Sequence, residues 1–542
     1  MFIFKNLSMQ LKVTYLGWIE DRNKGYSLTG SATLFELIDK NGEKLARVLV
    51  DYGAFQGSKN EKLKNKEMEI EDLEKLDAIV LTHAHLDHIW RIPYLVKKGF
   101  RWTIYVSPLT LELAKLNWKD TIWIAKAEAE KNKHFKSKMR DYLKIKTLGN
   151  KLSNNNLKKY EKEKIKKQLD NLLKKYKISV SEVREKLETL WIKKESDIKN
   201  IRQNDVLFDE NDIQKTLELV SVLTLEDEVW INDYVKLKAF DAAHIEGSIL
   251  PYLEYFNEAW KSYKCLIAQD LWRFKNNPLE DTPSVSKKLK IDYLQLETTY
   301  AGRYHPEISE SINQFVEAIK NHEWPILIPA FSIQRTQYVL KLLLENFEEL
   351  WNRKIYTTSE LANQVNQVFL ARKRDKYAYL ADKRIKFLTA KDTLPKNNLN
   401  KAIIVGSSGM LQWWSIERWL KELVKNPDAK IVFTGYQWEW TRWREILDGK
   451  DFVVIDGKAI QVRCSYEYIT WFSSHADTQD LLTFLKQFKK HDGKKIKLVL
   501  THWWDNRYAF KELLFSSKNL IKIRRQYDIH IAKIKENLII NF

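Results

Sequence analysis

The chain has 542 residues, enough for two or three domains, and 44% are apolar and 30% charged, a balance typical of folded globular proteins. No apolar run reaches the roughly 18 residues of a membrane span, and the start of the chain lacks the apolar centre of a signal peptide, so no membrane partner is expected. The formal net charge of +19 instead favours a polyanionic partner such as nucleic acid.

The first part of the chain is predicted to form strands. Residues 10–110 contain the stretches KVTYLG, ATLFEL, ARVLVDYG and LDAIVLTH, which are short apolar runs bounded by turn residues. The segment IWRIPYLVKKG, which follows the last of them, predicts a helix.

In residues 120–205 the strand patterns give way to Lys-rich helical patterns, which predict a helical insertion. The stretch IKKQLDNLLKKY places five side chains on one helical face, namely Ile165, Leu169, Leu172, Leu173 and Tyr176. Ser179 and Glu182 have the spacing of a capping box that opens the next helix. Residues 131–200 hold 22 Lys/Arg against 9 Asp/Glu, which fits a polyphosphate-binding surface and a solvated helical arm equally well.

The rest of the chain predicts an α/β architecture. Strand patterns return in DYVKLKAFDAAH, YKCLIAQD and IDYLQLETTY. Residues 305–460 then alternate helix and strand patterns, which favours a parallel sheet. Cys265 and Cys464 lie in apolar stretches and are expected to be buried thiols of a cytoplasmic protein.

The stretch LDAIVLTHAHLDHIW predicts a metal site. A buried strand ends at Thr82, and His83, His85, Asp87 and His88 follow within six residues. His83 and His85 point the same way in an extended segment, and imidazole and carboxylate groups are zinc ligands. Four such residues after one strand are hard to explain as structural side chains.

One cluster does not complete two tetrahedral sites, so further ligands are expected from distant strands. His244, Asp270 and His502 each follow an apolar strand pattern. Each alone could be a satisfied polar residue at a strand end. As a set at the same structural position, they favour the metal hypothesis.

These residues and the later motifs resemble a known family. HAHLDH with the single distant ligands is similar to the metallo-β-lactamase fold. The blocks LETTYAGRYH, IPAFSIQRTQ, SSGML, FTGYQ, FSSHAD and LTH resemble its β-CASP nuclease branch. The resemblance implies an α/β fold, an αββα sandwich with an inserted β-CASP domain and the extra Lys-rich helical insertion. It implies a metallo-β-lactamase domain in two parts, residues 1–304 and 461–542, around a β-CASP domain at residues 305–460.

The resemblance also implies two zinc ions whose ligand sets share Asp270 as a bridge. The first set is His83, His85 and His244. The second set is Asp87, His88 and His502. Asp51 would support the ligands through hydrogen bonds.

For catalysis, the resemblance implies that Glu297 and His475 form an acid/base pair beside Asp87. Family enzymes that act on RNA carry histidine at the His502 position, and the DNA-repair branch usually carries valine, so RNA is favoured. The flanking phosphates would contact residues of the later blocks, namely Arg303, His305, Arg335, Ser407, Ser408, Gly409, Gly435, Tyr436, Thr441 and Arg444. For the arginines among them, ordinary surface salt bridges are the alternative.

The implied function is a zinc-dependent ribonuclease that leaves a 5′-phosphate and a 3′-hydroxyl, with single-stranded RNA in the cleft and a homodimer as a possible assembly. A catalytically silent RNA-binding scaffold is the first alternative, but the chain keeps all seven ligands. A small-molecule metallo-hydrolase is the second, but it would not need the β-CASP domain. Endonuclease and 5′→3′ exonuclease action stay open.

The departures from the family involve tryptophan repeatedly. Where the family loop runs Gly-Thr-x-Gly-Arg, this chain has Trp440-Thr441-Arg442-Trp443-Arg444. Tryptophan replaces expected glycine or flanks motifs at other positions too, namely Trp90, Trp272, Trp413, Trp414, Trp471 and Trp503. Smaller departures beside the site, which put turnover and substrate preference in question, are Ala243, Gln269, Ala301 and Gln334.

The two residue counts suggest an explanation. The chain has 16 glycines and 20 tryptophans, so glycine is about 3% of residues against a usual ~7%. We hypothesise that UGA codons read as tryptophan are glycine in the cell. The rival hypothesis is that genuine indoles, Trp438 or Trp440 for example, stack on RNA bases; others, such as Trp260 or Trp351, could also be genuine.

Overall fold

The computed structural model describes residues 9–541 except for 18–28, 57–60, 154–156, 190–191, 200–205, 226, 274–282, 284, 286–287, 351–352, 390–391, 395–398, 408–413, 436–440, 456–457, 470–474 and 503. The side chains of residues 61–62, 189, 198–199, 414–415 and 504–505 also lie outside the described set. The chain divides into two units. One comprises Met1–Trp118 and Glu210–Phe542, and the other Lys119–Asp209.

Two mixed sheets form the core of the larger unit. In the described part of the chain, the first has seven strands in the order β24 (Asn537–Asn541), β1 (Gln10–Tyr15), β2 (Thr33–Ile38), β3 (Lys44–Val50), β4 (Ala78–Val80), β5 (Thr103–Val106) and β6 (Val220–Val222). Pairs from β24 to β3 are antiparallel, and pairs from β3 to β6 are parallel.

The second sheet also has seven described strands. Their order is β23 (Tyr527–Ile531), β22 (Ile496–Thr501), β12 (Tyr293–Glu297), β10 (Ser262–Ala268), β9 (Ile249–Phe256), β8 (Val235–Asp241) and β7 (Glu228–Asn232). The pairs among β10, β12, β22 and β23 are parallel, and those among β7, β8, β9 and β10 are antiparallel.

The two sheets pack face to face across one hydrophobic core. Val13 and Val48 of the first sheet belong to the same buried cluster as Leu253 and Ile267 of the second. The opposite face of the second sheet buries Leu294 and Leu498 with residues of the C-terminal helices. This arrangement confirms the expected α/β sandwich.

A third sheet is entirely parallel among its described strands. Their order is β15 (Ile385–Phe387), β14 (Lys354–Thr357), β16 (Ala402–Ser407), β13 (Ile326–Ala330), β17 (Lys430–Phe433) and β20 (Ser465–Tyr468). The parallel sheet predicted from the alternation of helix and strand patterns over residues 305–460 is therefore present. Among the described residues, two short ribbons account for the other strands, β11 (Lys290–Ile291) with β21 (Lys489–Lys490) and β18 (Phe452–Ile455) with β19 (Lys458–Gln461).

The helices of the larger unit cover these sheets. In chain order they are α1 (Glu61–Lys66), α2 (Leu86–Ile89), α3 (Ile92–Lys98), the start of α4 (Pro108–Leu152), α8 (Glu210–Glu218), α9 (Ile308–Lys320), α10 (Arg335–Glu345), α11 (Glu360–Arg372), α12 (Arg374–Tyr377), α13 (Trp414–Leu423), α14 (Arg442–Leu447), α15 (Thr478–Leu485), α16 (Trp504–Ser516) and α17 (Ile521–Gln526). No helix of the described residues is long and apolar enough to cross a membrane.

The smaller unit has a helical core of its own. It contains the rest of α4 with α5 (Lys159–Tyr176), α6 (Val180–Thr189) and α7 (Glu195–Lys199). The predicted face of α5 is confirmed, because Leu169 is buried and its four apolar partners pack against the same cluster. The capping box is present as well: Glu182 accepts from the Ser179 N–H (2.7 Å) and donates its own N–H to Ser179 Oγ (3.2 Å). Cys265 and Cys464 are free and buried, as expected.

A buried carboxylate in the first sheet gives a test of the fold. Glu36 is 1% exposed and receives Lys12 Nζ at 2.9 Å, Lys44 Nζ at 2.9 Å and Arg47 Nε at 3.0 Å. Burial alone would raise its pKa, but Lys44 and Lys12 lower that pKa to about 2. The folded state therefore gains stability that is present above the ordinary value of about 4.5 and is lost as pH falls towards 2.

Glu36→Gln is expected to lower the free energy of unfolding by roughly 2 kcal/mol at pH 7, after allowance for the partly exposed lysines. Urea unfolding at pH 7, 5 and 3 measures this difference from wild type, which should shrink at pH 3. The exposed Glu43→Gln serves as the control. A difference that is independent of pH would contradict the ion-pair explanation.

Candidate functional site

One rim of the sandwich collects the side chains predicted to be functional. Residues 51, 83 and 244 follow β3, β4 and β8, while residues 270 and 502 follow β10 and β22. Strands β3 and β4 run parallel, as do β10, β12 and β22. Strand β8 runs in the same direction as β10, because both pair antiparallel with β9. Parallel strands end at the same edge, which brings these distant residues together.

Three imidazoles and a carboxylate form the tightest group at this rim. His83, His85, His244 and Asp270 each offer a ligand atom within 4.8 Å of all the others. His85 Nδ1 lies 3.0 Å from His83 Nε2 and 3.3 Å from His244 Nε2. Asp270 Oδ2 lies 3.5 Å from His83 Nε2 and 3.3 Å from His244 Nε2. The structure thus brings together the first predicted ligand set and the predicted bridge.

Two residues of the second predicted set, His88 and His502, lie beside the same carboxylate. His502 Nε2 lies 3.1 Å from Asp270 Oδ1, and His88 Nε2 lies 3.6 Å from Oδ2. Asp87 is partly exposed in α2; its charge opposes the lowering of the His85 pKa by burial, and it adds to the effect of Asp270 and Asp51, which raise the pKa of His88. The carboxylate of Asp87 therefore acts electrostatically on this centre.

The three histidines and Asp270 of the tightest group have pKa shifts that favour metal binding. Burial lowers the pKa of His83 and His244, and it lowers the pKa of His85 to about 4. Burial alone would raise the pKa of Asp270, but the surrounding histidines, His88 first, hold it well below its ordinary value. Neutral imidazoles whose lone pairs converge, together with one ionised carboxylate, are the donor set of a zinc site. The residues present therefore fit a divalent metal ion.

Threonines fix the orientation of two of these histidines. Thr82 Oγ1 lies 3.1 Å from His83 Nδ1 and donates to Asp51 at 2.7 Å, so it accepts a hydrogen bond from Nδ1–H and leaves the Nε2 lone pair free to bind a metal ion. Thr501 Oγ1 stands 3.2 Å from His502 Nδ1 in the same way. The sequence missed both threonines, although VLTH occurs twice, at residues 80–83 and 499–502. That repeat is the signal that could have found them.

Asp51 lies where the predicted support for the ligands would be. It is fully buried and accepts from His88 Nδ1 at 2.7 Å and from the Thr82 N–H at 2.8 Å. The Thr82 N–H bond holds the Asp51 carboxylate, and the bond to His88 Nδ1 leaves Nε2 of that ring 3.6 Å from Asp270 Oδ2. Although burial opposes it, the carboxylates of Asp270 and Asp51 raise the pKa of His88 to about 9.

The backbone around the centre is strained. Asp51, Ala243 and His502 have φ angles of 59°, 51° and 78°, in the left-handed region that favours glycine. Such conformations cluster at functional sites, where the surrounding structure holds them. The departure at Ala243 therefore keeps the backbone conformation that glycine would adopt easily.

Glu297 and His475 form the expected pair next to the metal group. Glu297 is fully buried at the end of β12, and its Oε2 lies 2.9 Å from His475 Nδ1. Burial opposes protonation, yet Glu297 and Asp270 raise the pKa of His475 to about 9. Asp270, Glu297 and His475 also each offer a possible ligand atom within 4.8 Å of the other two. Because Glu297 already accepts the Leu271 N–H at 2.6 Å and the His475 ring, an orienting role suits it better than a ligand role.

Two aromatic rings complete the surroundings of His475. His305 Nε2 donates to the His475 carbonyl at 2.9 Å, and its backbone N–H donates to Asp477. The Tyr300 ring stacks on the His475 ring at 6.2 Å and lies 5.1 Å from the His305 ring. His305 thus holds the His475 backbone in place. Tyr300 is a second neighbour that sequence reasoning missed, although it lies inside the quoted block LETTYAGRYH.

The predicted phosphate contacts have mixed positions. Arg303 is exposed beside the Tyr300 ring, with Cζ 5.9 Å from its centre. Arg335 is buried and donates to the Thr434 carbonyl at 2.9 Å, and burial lowers its pKa to about 10. Arg444 pairs with Asp448 at 2.8 Å on the surface, which is the alternative raised for the arginines.

The remaining predicted contacts lie near the ends of β16 and β17. Ser407 accepts from Ser332 Oγ at 2.6 Å, and Gly435 follows β17 directly after Thr434. Thr441 caps α14, since its Oγ1 accepts the Arg444 N–H at 3.2 Å. Ser408, Gly409 and Tyr436 lie outside the described residues.

The smaller departures are buried beside the centre. Gln269 accepts a hydrogen bond from Ser31 Oγ, and both Gln269 and Ala301 are almost fully buried. Gln334 is also buried, with a φ angle of 68°. These side chains are thus part of the packing around the site.

The described tryptophans differ in how well they suit their positions. Trp272 is 4% exposed, its ring lies 6.5 Å from the His244 ring, and its indole N–H has no hydrogen-bond partner among the described residues. Trp260 has a φ angle of 56°, a conformation that favours glycine. Trp90 has helical φ and ψ angles, and Trp443 packs edge-on against Phe433 at 5.8 Å. Positions outside the described residues or side chains are Trp351, Trp413, Trp414, Trp438, Trp440, Trp471 and Trp503.

Three family profiles match the chain in order. The metallo-beta-lactamase superfamily matches residues 37–141, the Beta-Casp domain residues 334–446, and the Zn-dependent metallo-hydrolase RNA specificity domain (RMMBL) residues 459–503. The first match contains the HAHLDH cluster, and the last contains His475 and His502. The matches therefore cover both ends of the ligand set.

Similar proteins occur in archaea and bacteria. The chain is 26% identical to the RNase J-like protein of Methanocaldococcus jannaschii, over 80% of this chain and 82% of that protein. It is 23% identical to Ribonuclease TTHA0252 of Thermus thermophilus, over 91% of this chain and 94% of that protein. It is 24% identical to the transcription termination factor FttA of Methanococcus maripaludis, over 82% of this chain and 61% of that protein.

Proposed function

We propose that the chain, which carries metallo-beta-lactamase, Beta-Casp and RMMBL domains, is a zinc-dependent ribonuclease with a two-metal site. The observation that carries this proposal is the convergence of His83, His85, His244 and Asp270 beside the Glu297–His475 pair. The proposed domain boundaries are residues 1–304, 305–460 and 461–542. The names of the relatives, two of them ribonucleases, support the same substrate class.

Asp270 would bridge two zinc ions. The first would be held by His83, His85 and His244, and the second by Asp87, His88 and His502. When bound, a pair of zinc ions supplies Lewis acidity that neutralises phosphate charge and lowers the pKa of water. The four imidazole nitrogens within 3.6 Å of Asp270 support this assignment.

His475 would act as the general acid. With a pKa raised to about 9, it carries a proton at neutral pH, and Glu297 holds its Nδ1 so that Nε2 is the nitrogen left for substrate. In-line attack of water on phosphorus expels the 3′ oxygen, and proton transfer from His475 to that oxygen yields the 3′-hydroxyl. The other product keeps the 5′-phosphate.

Single-stranded RNA is the proposed substrate. The description of the profile that matches residues 459–503 names RNA specificity, and His502 is of the type expected for RNA. Arg303 is an exposed cation beside Tyr300, whose ring stacks on His475, and it is the phosphate contact we favour. Arg335 would act on the turn after β17 through the Thr434 carbonyl rather than on phosphate directly. A homodimer and a cytoplasmic location stay predictions.

His475→Ala is expected to lower kcat for RNA cleavage by roughly 100- to 10,000-fold, because the general acid is lost. Zinc content, measured by atomic emission, should stay unchanged. The assay uses 5′-labelled and internally labelled RNA and identifies the product ends.

His491→Ala is the matched control for this experiment. His491 also binds a carboxylate, Asp292 at 3.0 Å, and its side chain is 23% exposed against 21% for His475, but it lies outside the proposed site. Equal activity of the two variants would exclude His475 as the acid. Loss of zinc from His475→Ala would assign it to the metal ligands instead.

The Lys-rich smaller unit is proposed to bind RNA phosphates. Lys164, Lys166 and Lys167 are exposed on α5, whose apolar face is turned into the helical core. Removing these charges therefore leaves the packing of the unit intact.

Replacing the three lysines by glutamine should weaken RNA binding and reduce the slope of log K against log salt by up to about 2, at ~0.7 for each lost phosphate contact. Fluorescence anisotropy at several salt concentrations measures this slope. Lys40, Lys495 and Lys533, three exposed lysines of the larger unit, replaced together, give the control. An unchanged slope, also after deletion of residues 130–200, would identify the unit as a solvated arm.

Recoding of UGA as glycine is proposed for part of the tryptophans. The buried indole N–H of Trp272, which has no hydrogen-bond partner among the described residues, supports glycine there. The positive φ of Trp260 also favours glycine, although its ring packs against Phe256 at 5.7 Å, whereas the packed ring of Trp443 supports tryptophan. Mass spectrometry of peptides from the native source, spanning residues 257–273 and 438–444, should find glycine at positions 260, 272 and 440. Tryptophan at all three would refute recoding.

A further inference from the structure

The loop between β8 and β9 carries His244 and is held from two sides. On one side, Ser107 Oγ and Thr110 Oγ1 donate to the Gly247 carbonyl at 2.5 and 2.8 Å. A Cβ at Gly247 would lie 2.8 Å from the Thr110 backbone nitrogen, so loop and sandwich are in close contact there. The other side of the loop faces residues of the domain that contains the third, parallel sheet (residues 305–460), which we call the parallel-sheet domain.

Three buried side chains make that second attachment. Gln334 directly precedes α10, and Tyr377 ends α12, both in the parallel-sheet domain. The Glu246 N–H donates to Gln334 Oε1 at 3.1 Å, Gln334 Nε2 donates to Tyr377 Oη at 3.0 Å, and Tyr377 Oη donates to Glu246 Oε1 at 2.8 Å. The three bonds close a ring, which we call the Glu246 ring.

The ring is well isolated from water and costly to break. Glu246 is 8% exposed, Gln334 3% and Tyr377 0%. Lys376 pairs with Glu246 at the rim of the ring, where its side chain is 25% exposed. Loss of one partner would leave buried polar atoms without a hydrogen bond, which is more damaging than removal of an exposed bond.

The backbone of Gln334 points to the same role. Its φ angle of 68° is disfavoured for any residue with a Cβ. A glycine would relieve this conformation but would supply neither the Oε1 acceptor nor the Nε2 donor. The side chain therefore accounts for the presence of glutamine at a position where the backbone favours glycine.

We propose that Gln334 and Tyr377 are positioning residues, which hold the His244 loop through Glu246 and so couple metal binding to the docking of the parallel-sheet domain. The inference rests on the proposed function, in which His244 binds a metal ion. Glu246 is two residues from His244 in the same loop, so release of Glu246 would loosen His244. In other proteins, loss of a group that supports a metal ligand weakens metal affinity about 10- to 100-fold.

The test is Co²⁺ binding to the full-length protein, followed by visible absorption in competition with a chelator. Tyr377→Phe should bind Co²⁺ about tenfold more weakly than wild type. Tyr379→Phe is the matched control, because its hydroxyl donates to the Gln337 carbonyl at 3.0 Å within the parallel-sheet domain, and its affinity should stay within about twofold of wild type. Lys376→Gln, at the partly exposed rim, should show a smaller loss of about threefold.

An RNA-cleavage assay distinguishes a loss of His244 positioning from a general destabilisation of the protein. At saturating metal, Tyr377→Phe should recover the wild-type kcat, because bound metal reorders the loop. Equal Co²⁺ affinities of Tyr377→Phe and Tyr379→Phe would overturn the inference and leave the proposed function intact. A kcat of Tyr377→Phe that stays below wild type at saturating metal would do the same. Failure of the wild-type protein to bind Co²⁺ would overturn the proposed function and the inference with it.

Discussion

The site depends on one buried carboxylate. Asp270 is 5% exposed, and four imidazole nitrogens lie within 3.6 Å of its two oxygens. An ionised carboxylate away from water is unstable unless nearby groups compensate for its lost hydration. Here the compensating groups follow β4, β8 and β22, so the carboxylate is stabilised only when both sheets of the sandwich are in register. Metal binding and folding are therefore linked through the same residue.

The need to gather these groups around Asp270 also explains the strained backbone and the close contacts near that residue. Asp51, Ala243 and His502 hold left-handed backbone conformations, each of which costs about 1–3 kcal/mol. Gly53 shows how tightly the loops pack, because a Cβ there would lie 1.6 Å from the Asp87 carbonyl oxygen. The two sheets supply the stability that keeps these conformations.

The sequence predicted what strand periodicity determines. His244, Asp270 and His502 follow apolar strands, and strands running the same way must end at one edge, so their meeting could be expected from the pattern alone. The helical face of α5 was predictable for the same reason. Arg335 was expected to contact phosphate, yet it is buried against Thr434, 99 residues away. Gln334, Glu246 and Tyr377 contact one another although they are 43 to 131 residues apart in the chain. The periodicity of a single helix or strand cannot predict tertiary contacts of this kind.

Two histidines of the site show how position assigns different roles to similar groups. His88 and His475 each donate from Nδ1 to a buried carboxylate, and the carboxylates raise the pKa of both to about 9. What differs is the environment of the other nitrogen. His88 is fully buried with Nε2 directed at Asp270, so it must release its proton to act as a ligand. His475 has 21% of its side chain exposed, which suits the proposed role of an acid that keeps its proton until substrate binds. Exposure to solvent, and not proton affinity, therefore distinguishes the proposed ligand His88 from the proposed acid His475.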